Sequence, residues 1–110
     1  MTKTIQRSAL VLAAASLLAM PLVAQADKHV DEAITHAKEA VDHGKQGHAD
    51  AVAQHAAGAL KHAEAAGVKS PHLDEGIKEL KAAVEHGKAG HADVATKHAE
   101  GAVMHLSEVK

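Results

Sequence analysis

The chain of 110 residues contains no cysteine, phenylalanine, tyrosine or tryptophan. The absence of cysteine excludes disulfides, thiolate metal sites and cysteine nucleophiles. The absence of aromatic side chains excludes platforms on which nucleic-acid bases stack, and a formal net charge of −2 does not attract polyanionic nucleic acid. Histidine, by contrast, occurs 11 times, so the chemistry of imidazole is where a function is to be sought.

Residues 1–26 have the pattern of a secretory signal peptide. Two basic side chains precede an apolar run at residues 9–19, and Ala-Gln-Ala at residues 24–26 provides a small-x-small cleavage pattern. The apolar run is shorter than the roughly 20 residues that span a bilayer, which favours cleavage over an uncleaved membrane anchor. We therefore predict a mature chain of residues 27–110, located in the periplasm and without membrane contact after cleavage.

The mature part of the chain is an internal duplication. Residues 29–66 align with residues 72–109 without a gap, and HGKQGHAD at residues 43–50 recurs as HGKAGHAD at residues 86–93. Such self-similarity indicates that one structural unit has been copied.

Each repeat has the pattern of two helices joined by a tight turn. Strong helix formers fill the segments between glycines, and apolar residues recur at helical spacing. Gly44 and Gly87 are predicted to form left-handed caps at helix ends, and Pro71 to lie in the first turn of the third helix. Short connections make consecutive helices antiparallel, so the prediction is an all-α, up-down-up-down four-helix bundle of two hairpins. The predicted core stripes are Val30, Ile34, Ala37, Val41; Ala49, Val52, Ala56, Ala59, Ala63; Leu73, Ile77, Leu80, Val84; and Ala92, Ala95, Ala99, Ala102, Leu106.

The histidines recur every seven residues within each predicted helix. Seven residues are close to two helical turns, so each set forms one stripe along one helix face. In the third helix Glu79 occupies the middle histidine position. The candidate metal ligands are therefore Glu79 and His29, His36, His43, His48, His55, His62, His72, His86, His91, His98 and His105.

Folding each hairpin about its turn places the stripes of its two helices opposite each other. Successive layers of paired side chains are expected about 10 Å apart along the helices. Glu32 and Glu39 follow histidines at a spacing of three but lie further from the core, so they rank behind the histidines as ligands, and Met104 is expected at the surface. The predicted pairs are His29–His62, His36–His55, His43–His48, His72–His105, Glu79–His98 and His86–His91.

These pairs have the chemistry of a transition-metal site. Neutral imidazole is the commonest metal ligand in proteins. Without cysteine, the site lacks the soft ligands that select Cu(I), and nitrogen and oxygen donors favour divalent ions. Among those ions the Irving–Williams order favours Cu(II), with Ni(II) and Zn(II) as alternatives, and separate layers predict several ions per monomer.

The signal-peptide pattern, the short cysteine-free mature chain and the repeated His-Gly-Lys-x-Gly-His-Ala-Asp turn resemble the small metal-binding protein (SmbP) family of periplasmic proteins. This resemblance implies a helical bundle that binds several divalent ions, copper in particular, and contributes to metal buffering and tolerance. It also implies that the eleven histidines are the ligands. Glu79 departs from the histidine pattern, which puts the affinity of its layer in doubt.

Three other functions are weighed against metal buffering. A haem-binding four-helix electron carrier is disfavoured, because the sequence has no C-x-x-C-H motif for haem attachment and no evident wide apolar pocket. A periplasmic stress or chaperone-like helical protein needs a large exposed apolar stripe, which the sequence does not offer. An enzyme is not expected, since Ser70 and Ser107 have no paired base and no nucleophile elbow. A monomer is predicted, while a protein that delivers or receives the metal, and the choice between storage and transfer, stay open.

Overall fold

The computed structural model describes residues 21–109, in which four α-helices and no β-strand occur. The helices are α1 (Leu22–Lys45), α2 (Ala49–Ala65), α3 (Pro71–Lys88) and α4 (Ala92–Ser107). Residues 1–20 of the predicted signal peptide lie outside the described residues. None of the four helices is long and apolar enough to cross a membrane. The predicted all-α architecture is confirmed.

The helices form a bundle in which α1 and α3 each pack against both α2 and α4. The groove between α1 and α2 and the groove between α3 and α4 therefore lie on opposite sides of the bundle. The helices α2 and α4 also touch across the diagonal, because their inward faces are largely alanine.

The core is thin. Its largest fully buried side chains are Leu80, Leu106 and Val52, and most of its other members are alanines. Of the predicted core positions, Ile34, Ile77 and Val84 are only partly buried and pack against its margin. Ala49 and Ala92, the first residues of α2 and α4, are also only partly buried. A core of this kind contributes limited hydrophobic stabilisation, since that stabilisation scales with the apolar area removed from water.

Both hairpin turns end their first helix with the same hydrogen-bond pattern. In the first turn the N–H of Gly47 donates to the carbonyl of Gly44 (2.9 Å), and the N–H of His48 donates to the carbonyl of His43 (3.0 Å). Gly47 has φ 82° and Gly90, its counterpart, φ 83°. This is a Schellman motif, in which the residues that flank the turn are brought into side-chain contact. The turn thus places His43 beside His48 by local geometry alone.

The prediction that Gly44 and Gly87 are left-handed caps was wrong. Both are helical and buried, and the left-handed residues are the glycines three positions later. A Cβ on Gly44 would overlap the Thr96 side chain of α4, and a Cβ on Gly87 would lie 2.9 Å from the Ala53 Cβ of α2. The two glycines therefore permit close approach between the hairpins.

The start of α3 agrees with its prediction. Ser70 is the N-cap residue, Pro71 occupies the first helical position, and the Ser70 hydroxyl accepts a hydrogen bond from the N–H of Leu73 at 3.4 Å. Proline at this position removes a donor that would have no helical acceptor in any case. The linker before it contains Gly67 at φ 66°.

Candidate metal centre

The structure brings together all six pairs predicted from the register of the hairpins. Each pair joins one side chain from each helix of a hairpin. The centroids of the paired rings lie 5.6 Å apart in His29–His62, 6.4 Å in His36–His55, 6.1 Å in His43–His48, 5.6 Å in His72–His105 and 5.9 Å in His86–His91, and Glu79 Oε1 lies 3.1 Å from His98 Nδ1.

The outer pair of each hairpin has the geometry of two nitrogens that share one ion. His29 Nδ1 lies 3.4 Å from His62 Nδ1, and His72 Nδ1 lies 3.3 Å from His105 Nδ1. Two nitrogens bound at about 2.0–2.1 Å with a tetrahedral angle between them lie about 3.4 Å apart. At this distance the lone pairs of the two nitrogens would repel each other unless a proton lay between them. A cation between the nitrogens would accept both lone pairs.

Two carboxylates lie beside the histidine pairs of the first hairpin. Glu39 Oε1 lies 3.5 Å from His36 Nδ1 and 3.8 Å from His55 Nδ1, and the ligand atoms of these three residues all lie within 4.8 Å of one another. Glu32 Oε2 lies 3.1 Å from His62 Nδ1. Both carboxylates, which are expected to rank behind the histidines as ligands, thus lie within 4 Å of imidazole nitrogens. The signal was their spacing, because side chains three apart on a helix are neighbours.

The second hairpin lacks this carboxylate support. Ala82 stands at the position that corresponds to Glu39. Glu75, which corresponds to Glu32, pairs with Lys78 at 3.5 Å instead of with a histidine. The middle layer of this hairpin is therefore one carboxylate and one imidazole, Glu79 and His98, where the first hairpin offers two imidazoles and a carboxylate.

Two buried ring nitrogens in the first hairpin have no hydrogen-bond partner among the described residues. They are His43 Nδ1 and His36 Nδ1, and the latter lies 3.5 Å from Glu39 Oε1 without forming a hydrogen bond to it. Buried polar atoms are satisfied in the great majority of cases, and the exceptions call for an explanation such as a bound ion. The unsatisfied nitrogens fit a site that is completed by a metal.

Neighbouring layers touch through their rings, although histidines seven residues apart on one helix are about 10 Å apart along its axis. Side chains on a helix lean towards its N-terminus. In an antiparallel pair the rings of the two helices lean in opposite directions, so they meet between layers. The stacked contacts are His36–His62 at 5.3 Å and 10°, His43–His55 at 4.8 Å and 10°, and His86–His98 at 5.3 Å and 9°.

The rings of the first hairpin thus form one continuous series, which we call the first imidazole ladder. It runs from one end of the hairpin to its turn, whereas the second imidazole ladder, on α3 and α4, is interrupted at Glu79. In both hairpins a glycine of the second helix lies opposite the middle ligand of the first helix, which is His36 or Glu79. A Cβ on Gly58 would lie 3.5 Å from His36 Nδ1, and a Cβ on Gly101 would overlap the Glu79 carboxylate. The first imidazole ladder consists, in order, of His29, His62, His36, His55, His43 and His48.

Met104 is 70% exposed, in agreement with its predicted surface position. It aligns with Lys61 of the first repeat, which is also exposed. No thioether ligand is thus added to the imidazoles, and the donor set of the two ladders stays nitrogen and oxygen.

Comparison with known proteins agrees with this chemistry. The model of the family described as small metal-binding protein matches residues 2–109. Comparison with curated proteins found no significant match. Because the family match extends over nearly the whole chain, and because the histidine pairs supply a donor set for metal, this chain belongs to the small metal-binding protein family.

Proposed function

We propose that this protein binds and buffers divalent transition metal ions in the periplasm, chiefly Cu(II), on its two imidazole ladders. The observation that carries the proposal is the approach of Nδ1 atoms from two helices to 3.3–3.4 Å in the outer layers. Several ions bind per monomer, and the ligands are the eleven histidines together with Glu79. Glu32 and Glu39 support the first ladder.

Copper is favoured by the donor set. Imidazole nitrogens with a few carboxylate oxygens bind Cu(II) more tightly than Ni(II) or Zn(II) under the Irving–Williams order. The absence of cysteine from the sequence removes the thiolate ligands that favour Cu(I). Ni(II) and Zn(II) are the competing cargo.

The position of the ladders suits exchange of metal better than permanent storage. Eight of the histidines are half-buried, while His48, His72 and His91 are exposed. Bound ions would lie in grooves between helices, open to solvent and to competing ligands. The protein therefore acts as a buffer and contributes to metal tolerance. It acts without catalysis and as a monomer, after its signal peptide has been removed.

Metal titration of the mature protein tests this function. Native mass spectrometry and calorimetry with Cu(II), Ni(II) and Zn(II) should show several ions per monomer, with Cu(II) bound most tightly. A variant in which the histidines of α1 and α2 are replaced by glutamine provides the matched control, because it should keep only the sites of α3 and α4. Binding of a single ion, or of none, would contradict the proposal.

A further inference from the structure

The first three residues after the predicted cleavage site are Asp27, Lys28 and His29. We propose that cleavage after Ala26 creates a metal site at the new amino terminus, made by these three residues, specific for Cu(II) and Ni(II), and formed with the His29 ring of the outer pair of the first ladder. The inference rests on the proposed metal binding and on the proposed signal peptide. It assigns a backbone ligand set that the full-length chain does not possess.

The chemistry follows from a histidine in the third position of a chain. The amine of Asp27, the amide nitrogens of Lys28 and His29, and Nδ1 of His29 can close two five-membered rings and one six-membered ring around a single ion. These four nitrogens form a square plane, the geometry that Cu(II) and Ni(II) prefer and Zn(II) does not. On binding, the two amide protons and one proton of the terminal ammonium group pass to solvent, four nitrogen–metal bonds form, and no electron is transferred.

In the full-length chain the same nitrogens belong to helix α1, which begins at Leu22. Each N–H of an α-helix donates to the carbonyl four residues earlier. The N–H groups of Lys28 and His29 therefore donate to the carbonyls of residues 24 and 25, and cleavage removes both of these residues. The first N–H groups of a helix have no helical partner, so cleavage releases the two amides at the same moment as it creates the amine.

The internal repeat supports Ala26 as the end of the removed segment. Asp27 aligns with Ser70, the N-cap of α3, and the residues just before Asp27 align with the end of α2 and the linker. Leu22 and Val23 are 82% and 73% exposed, so this extra turn adds little to the core, although Ala26 is buried. After cleavage, α1 would start where its copy α3 starts.

The imidazole needed for this site is already at the edge of the first ladder. His29 Nδ1 lies 3.4 Å from His62 Nδ1, and His62 Nδ1 lies 3.1 Å from Glu32 Oε2. Because both sites use His29 Nδ1, the amino-terminal chelate replaces the outer pair of the ladder as the place where the first ion binds. The square plane of the chelate then needs no ligand from His62.

Replacement of Lys28 offers a sharp test. Lys28→Pro removes the amide N–H that the chelate needs, and the copy already has proline at this helical position, Pro71, so the fold accepts it. Lys28→Ala is the matched control, because it keeps the amide and removes only the side chain. His29→Ala should also abolish the chelate, whereas His62→Ala should leave it intact.

The measurement is Cu(II) titration of the secreted protein, after its first residue has been identified by amino-terminal sequencing. The wild type, Lys28→Ala and His62→Ala should show, at the first equivalent, the visible and electron paramagnetic resonance spectra of four-nitrogen square-planar Cu(II). Lys28→Pro, His29→Ala and wild type acetylated at its amine should lose this signature and still bind copper elsewhere. An unchanged signature in Lys28→Pro, its absence from the wild type, or a chain that starts at another residue would overturn the inference. Each of these results would leave the ladders standing, whereas a wild type that binds no copper at all would defeat the proposed function itself.

Discussion

The rings of His43 and His55 lie with their centroids 4.8 Å apart and their planes inclined by 10°, although the two residues belong to different layers. His43 is further from His48, its partner across the turn, at 6.1 Å. Ions bound in successive layers of the first ladder, as proposed, would therefore be neighbours. Binding at one layer should alter binding at the next.

The contact between layers predicts that mutations at His43 and His55 are coupled. Residues in contact show interaction energies of about 0.5–3 kcal/mol, while distant pairs add within about 0.3–0.5 kcal/mol. In thermal unfolding with saturating Cu(II), the double variant His43→Ala/His55→Ala should lose less stability than the sum of the single variants. The control is His43→Ala/His98→Ala, whose residues lie in opposite grooves. Equal additivity of both double variants would show that the histidines bind metal independently.

Completion of the second ladder should strengthen metal binding. Glu79→His introduces a ring opposite Gly101, as His36 lies opposite Gly58, and it replaces a mixed pair by two imidazoles. We expect an additional Cu(II) ion, or roughly tenfold tighter binding, which corresponds to about 1.4 kcal/mol. Native mass spectrometry measures the change. The reverse variant, His36→Glu, should weaken the first ladder, and unchanged binding in both variants would contradict the role assigned to this position.

The interior glycines should respond to alanine in opposite directions. Gly58→Ala adds a methyl group at an ordinary contact distance of 3.5 Å and improves helix propensity by up to about 1 kcal/mol. Gly87→Ala places a Cβ 2.9 Å from the backbone oxygen of Ala49, and overpacking of this kind costs about 1–3 kcal/mol. Urea denaturation of the metal-free protein should show Gly58→Ala as stabilised and Gly87→Ala as destabilised. A shift of the same sign in both would contradict the packing described between hairpins.

Metal affinity should fall as the pH is lowered. Imidazole binds metal only when it is deprotonated, so metal binding by histidine releases protons. Protons then compete with the metal, so the apparent dissociation constant for Cu(II) should rise steeply between about pH 7.5 and about pH 5.5. Calorimetric titration at several pH values measures the effect. A constant affinity over this range would point to carboxylate ligands in place of histidine.

The helices and the pairing of the histidines are determined by the sequence itself. A period of seven residues matches two helical turns, so each histidine set has to form a stripe along its helix. The hairpin turn is short and locally specified, since Gly47 closes a Schellman motif that sets His43 against His48. Once that innermost pair is placed, antiparallel packing carries the register along the hairpin, and every other pair follows.

Contacts between helices other than the register of the histidine pairs were decided only by the tertiary structure. Gly44 has the sequence context of a cap, but its burial against Thr96 depends on how closely α1 approaches α4. Glu39 reaches His55 because α2 lies beside α1, and the stacking of His43 on His55 depends on opposite side-chain tilts in antiparallel helices. Periodicity along the chain specifies which face a residue occupies. The distance between two helices decides which residues of the neighbouring helix that face contacts. This distance depends on the size of the side chains packed between the helices.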